Sequence, residues 1–192
     1  MFKILAITAG AAAVVSLAAC SPPNERESTA KPSVTSSAAP AVSFNDADVM
    51  FLQMMYPHHA QAVDMAKLVP TRSQNQQVKD LATAIEGAQS PEMQQMTTLL
   101  ASFGKPAPSA MMHHAMAGIM TPQQMTALEA ASGTAFDKMW LQMMIEHHQG
   151  AIDMSQDELK NGTNPDVKKM AQTIITAQQG EIDKMKAMLA AM

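Results

Sequence analysis

From Val49 onward the apolar residues recur at helical rather than strand spacing. At about 100° of turn per residue, Phe51, Leu52, Met55, Ala62 and Val63 gather on one face, and Gln53, Gln61, Asp64 and Lys67 on the other. Trp140, Leu141, Met144 and Ile152 draw the same wheel a second time. Each wheel is followed by another stripe: Val78, Leu81, Ala82, Ile85, Ala88, Met96 and Leu99 in one case, Val167, Met170, Ala171, Ile174, Ala177, Met185 and Met188 in the other. The pattern predicts four helices, at about 46–69, 75–102, 134–160 and 164–191. Asn45 or Asp46, and Thr134, are the N-caps expected for the first helix of each pair. Pro70-Thr71-Arg72-Ser73 and Asn161-Gly162-Thr163-Asn164 supply turn chemistry inside each pair. Pro57 predicts a kink just before His58.

The two pairs are copies. Residues 48–100 lie on 137–189 without a gap, at a constant offset of 89, with about two in five positions identical. The matches include Leu52-Gln53-Met54-Met55 with Leu141-Gln142-Met143-Met144, His58-His59 with His147-His148, Asp64-Met65 with Asp153-Met154, and Glu92 with Glu181. Neither hairpin can bury its apolar face alone, so the expected fold is all-α: a four-helix bundle of two tandem helical hairpins about a pseudo-twofold axis. Its expected extent is 44–192, with repeat 1 at 44–102, a Met/His-rich connection at 103–133 and repeat 2 at 134–192.

Residues 1–20 combine Lys3, a short apolar run and small residues before Cys20, which reads as a secretory signal rather than a membrane span. Cys20 is the single cysteine, so no internal disulfide can form. Its place after Leu17-Ala18-Ala19 resembles a lipobox, making Cys20 the expected lipidation site, and Ser21 behind it favours the periplasmic face of the outer membrane. Residues 21–43, rich in Ser, Pro, Ala and Thr, read as a disordered tether. Membrane attachment is thus expected through the lipid alone. A net charge of −4 with no basic cluster argues against nucleic acid as a partner.

Twenty methionines change the chemical picture, because the thioether is a soft metal ligand as well as a core filler. On the helical wheel His58 and His59 flank the centre of the apolar arc, and His147 and His148 do the same in the second copy. Four interior imidazoles each need a partner. Adjacent histidines on a regular helix do not face each other, so the better ligand pairs are Met54 with His58, Met55 with His59, Met143 with His147 and Met144 with His148. Met65 and Met154 lie on the same arc. Imidazole with thioether suits copper, Cu(I) favoured by sulfur and Cu(II) tolerated by nitrogen. Glu92 and Glu181 stand inside apolar stripes, as partners for a histidine N–H or as direct ligands, the alternative being that both reach solvent at the stripe's edge. Met111, Met112, His113, His114 and Met116 in the connection form a candidate auxiliary copper segment.

The stretches Met54-Met55-Tyr56-Pro57-His58-His59, Met143-Met144-Ile145-Glu146-His147-His148 and Gly118-Ile119-Met120-Thr121-Pro122 resemble the signature of the Domain of Unknown Function 305 family over roughly 44–192. The resemblance implies a ferritin-like four-helix bundle, exported, with copper-binding members. The expected function is therefore to buffer, store or transfer copper in the periplasm, with a copper export or delivery protein as partner. No catalytic residue is expected. A metal-free envelope interaction protein is the alternative. A ferritin-like metal oxidase fits less well, since no Glu-x-x-His spacing occurs and each half offers one interior Glu.

Overall fold

The computed structural model describes residues 43–108 and 116–192. The signal segment, Cys20, the tether up to residue 42, and Met111, Met112, His113 and His114 lie outside the described residues.

The fold is all-α, and the described residues form five helices: α1 Asp46–Arg72, α2 Gln76–Ser102, α3 Pro122–Ala130, α4 Gly133–Asn161 and α5 Pro165–Ala190. Asn45 caps α1 in a reciprocal box, its Oδ1 accepting from the Asp48 N–H at 3.1 Å while Asp48 Oδ2 accepts from the Asn45 N–H at 2.6 Å. The duplicated Asn75 and Asn164 cap α2 and α5. α1 runs through Pro57 and past the predicted end through Pro70, closing where the Ser73 N–H donates to the Val69 carbonyl at 2.9 Å. α4 starts after Ser132 rather than at Thr134, on a Gly133 whose φ of 59° falls in the left-handed region. The nine-residue α3 was not among the predicted elements. It is too short to show periodicity, yet its start signals are in the sequence: Thr121 and Gln124 form a capping box and Pro122 stands at the first helical position.

α1 packs on α2 and α4 on α5, and the hairpins meet chiefly through α1 and α4. These two helices run antiparallel. Near one end the Trp140 indole N–H donates to the Met65 carbonyl at 3.0 Å, and near the other Phe51 and Met154 line one cavity. Two apolar clusters result. One joins Ala62, Met65 and Val69 to Val78, Ile85, Trp140, Leu141 and Met144; the other joins Phe51, Leu52 and Met55 to Met96, Leu100, Ala151, Val167 and Ile174. Each large side chain so buried contributes about 1.5–3 kcal/mol. His58 and His59 follow Met55 of one cluster and precede Ala62 of the other, while His147 and His148 fall likewise between Met144 and Ala151. The histidines thus occupy a polar layer between two greasy ones.

A second polar contact joins the hairpins at the cluster containing Phe51. Buried Asp48 accepts from the Thr163 N–H and hydroxyl, each at 3.1 Å, and from the Asn164 N–H at 2.9 Å, so the first turn of α1 holds the α4–α5 turn. Among the described residues no helix is long and apolar enough to cross a membrane.

Candidate metal centre

All four motif histidines are fully buried. Because α1 and α4 are antiparallel copies, His58 meets its own counterpart, with the His58 and His147 ring centroids 3.9 Å apart and the planes inclined by 47°. The pseudo-twofold axis therefore passes between these two rings. His148 lies 6.3 Å from His147, centroid to centroid.

His59 and His148 are oriented from behind. The His59 Nε2–H donates to Glu92 Oε2 at 2.9 Å, and the His148 Nε2–H to Glu181 Oε2 at 2.7 Å. The carboxylates keep about a fifth and a seventh of their surface in water, with side-chain exposures of 20% and 14%. Glu92 and Glu181 thus stand at the stripe's edge and still reach the core. A carboxylate accepting from Nε2 fixes the tautomer and leaves Nδ1 as a lone pair, the arrangement that prepares an imidazole for a metal.

The axial pair is less symmetric. The His58 Nε2–H donates to the Ala117 carbonyl at 3.1 Å, whereas neither nitrogen of His147 has a partner. The connection crosses only one side of the bundle, which explains the difference. Gln61 clamps this crossing with both ends of its amide, donating to the Met120 carbonyl at 2.9 Å and accepting from its N–H at 2.8 Å. Where copy one has Gln61, copy two has Gly150, and a Cβ there would run into the Ala117 carbonyl. Gly118, with φ of 76°, is likewise confined: a Cβ there would lie 2.6 Å from the Glu146 carbonyl oxygen. The helical pattern assigns no role at the site to Gln61, Ala117, Gly118 or Gly150. A glycine inside a helix costs about 1 kcal/mol against alanine, so Gly150 was the signal that could have found them.

In total five ring nitrogens are buried without a hydrogen-bond partner: Nδ1 of His58, His59 and His148, and both nitrogens of His147. Burial, reinforced by neighbouring His59 and His148, pushes His58 down to about 3. Burial and the His58, His148 and His59 rings push His147 well below the imidazole range. Both stay neutral at physiological pH with lone pairs free. Among the described residues no three His, Cys, Asp or Glu side chains group closely enough to hold a metal by themselves.

The candidate methionines divide. Met55, Met65 and Met144 are fully buried and Met143 is nearly so, all within the two clusters next to the histidine layer. Met54 and Met154 instead line a cavity at the surface with Met50. Met116 is buried just before the strap that carries Ala117.

Fold and site together define a duplicated helical-hairpin protein with a buried, sulfur-flanked imidazole layer at its pseudo-twofold axis. The sequence profile of the family described as "Domain of unknown function (DUF305)" matches residues 48–189, and the chain belongs to that family. A solved DUF305 fragment from Deinococcus radiodurans is 33% identical, with a TM-score of 0.71 over 77% of this chain and 98% of that one. CopM in its Cu(II)-bound form is 32% identical, with a TM-score of 0.66 over 75% of this chain and 96% of CopM; CopM is also solved in Cu(I)-bound and silver-bound forms. Over 53 residues the chain is 42% identical to uncharacterized protein L153 of Acanthamoeba polyphaga mimivirus, a match spanning 35% of that protein.

Proposed function

We propose that this protein binds copper through the histidine layer and buffers or passes on the ion in the periplasm, held to the membrane by a lipid on Cys20. The observation that carries the reading is the set of five buried, unpartnered imidazole nitrogens, three of them on the facing, mutually tilted His58/His147 pair. An unsatisfied buried polar atom costs about 1–3 kcal/mol, so five in one layer call for a ligand that satisfies them. The donor set fits copper. Neutral imidazoles serve either oxidation state, and the thioethers of Met55, Met143 and Met144, in the turns preceding the histidines, favour Cu(I). Similarity to CopM, which is solved with copper bound, points the same way.

In this reading His58 and His147 contribute one nitrogen or more from each hairpin, Glu92 and Glu181 hold the flanking rings, and the Ala117 strap excludes water. Bound copper would place its positive charge between two imidazoles, His58 and His147, that burial keeps neutral. The role is binding and transfer rather than catalysis, with a copper export or delivery protein as the receiving partner.

Copper(I) titration against a competing chelator tests it. The wild type should outcompete a generic histidine-rich peptide, and His58→Gln/His147→Gln should lose the tight equivalent while keeping its helical content. Copper at 100 times Kd should also raise the unfolding free energy by about 2.7 kcal/mol. Equal affinity and equal stability in wild type and variant would leave the layer a structural one.

A further inference from the structure

The duplication puts a methionine trio at each end of the α1–α4 contact, and the molecule treats them differently. Met65, Met139 and Met143 are covered, packed in the cluster that includes Met120 of the connection and Leu128 of α3. Their counterparts Met154, Met50 and Met54 lie where none of the described residues of the connection crosses. They line a cavity of about 270 Å³ with Phe51, Asp157 and Glu158. Met50 is 56% exposed and is the one exposed large hydrophobic side chain among the described residues. Where the covered trio has Leu68 and Val69 beside it, the open trio has Asp157 and Glu158.

Three sulfurs beside the exposed Asp157 carboxyl suit neither ordinary core packing nor an apolar ligand, because that group resists desolvation. They suit a soft cation, which gains from the thioethers and from the nearby negative charge. We propose that Met50, Met54 and Met154 form a second, solvent-open site for a soft monovalent cation, with exposed Asp157 at its rim balancing the charge. The proposal rests on the copper reading only in taking Cu(I) as the natural ion. The site itself is separate from the histidine layer and is reached without disturbing the strap. One cation arriving from solvent would meet the thioethers first and the imidazoles second.

Silver(I), a redox-inert soft cation, is the probe. Bound silver is counted by equilibrium dialysis, and the methionine ε-methyl signals are followed by NMR. The variant Met50→Leu/Met54→Leu/Met154→Leu conserves volume and should lose one equivalent while retaining the tight copper equivalent of the histidine layer. The exposed Met50→Leu alone, which leaves the core intact, should weaken silver binding at this site at least about tenfold. His58→Gln/His147→Gln should leave the trio's methyl shifts intact. Undiminished silver binding in both leucine variants, or trio methyl signals that do not move, overturns this inference and leaves the histidine reading standing. Loss of silver only in the leucine variants, with copper affinity unchanged by the histidine substitutions, does the reverse.

Discussion

At the scale of single residues the molecule is organised by ionisable groups held away from their ordinary behaviour. His58 and His147 stay neutral in the folded protein, while the unfolded chain takes up protons near pH 6.5. Their contribution is therefore complete above pH 6.5 and drains away as pH falls, down to about 3 in the case of His58, by about 1.4 kcal/mol per pH unit for each ring. Glu158 has the opposite sign. Burial and the Asp48 carboxylate push it up to about 8, so it stays protonated when folded and destabilises the fold as pH rises from 4.5 to 8. Asp48, despite its burial, is lowered by hydrogen bonds from the backbone of Asn45 and Asn164. Glu158→Gln should accordingly raise the urea midpoint at pH 8 and leave it nearly unchanged at pH 4. In that background the metal-free midpoint should fall between pH 6.5 and 4.5, and adding His147→Gln should roughly halve the slope. A slope that His147→Gln leaves unchanged would mean that this ring protonates freely when folded.

At the scale of elements, the strap and the helices beneath it set the site's access. Gly150→Ala should cost about 1–3 kcal/mol, because the added methyl meets the Ala117 carbonyl backbone rather than a movable side chain. Gly180→Ala, in α5 with nothing near its Cβ position, should instead stabilise by about 0.5–1 kcal/mol. Thermal melts of the two alanine variants read opposite signs if the strap is seated as described. The elements also show what the sequence could and could not disclose. The inward turn of His58, His59, His147 and His148 was legible because helical period alone sets it. The carboxylates behind His59 and His148 were legible because Glu92 and Glu181 interrupt apolar stripes. The strap was far less so, since a backbone carbonyl makes its contact with His58 and a glycine inside a helix, Gly150, is its faint trace. The parting of the methionines was not legible: Met54 and Met143 have the same helical spacing to a histidine, and only the path of the connection covers one and opens the other.

At the scale of the whole molecule, two hairpins are locked by the α1–α4 contact and by Asp48 on the turn of the other hairpin. Asp48→Ala should cost about 2–4 kcal/mol in urea denaturation, since the Thr163 and Asn164 N–H groups lose their acceptor. Asp137→Ala, at the equivalent place in the second repeat, should cost less, because Asp137 Oδ1 is buried without a partner. Equal losses would show that the two ends are locked alike.

The meeting of His58 with His147 has an ancestral consequence. In a twofold pair of identical hairpins, positions on the axis meet their own twins, as His58 meets His147 here. A single hairpin ancestor would have carried half of the imidazole layer and completed it by self-association, so under the copper reading proposed above its affinity for the ion would have depended on its own concentration. Fusion of the two copies would free that affinity from dilution. It also allowed the halves to diverge, which is how one face came to bear a strap and the other an open cleft of sulfur.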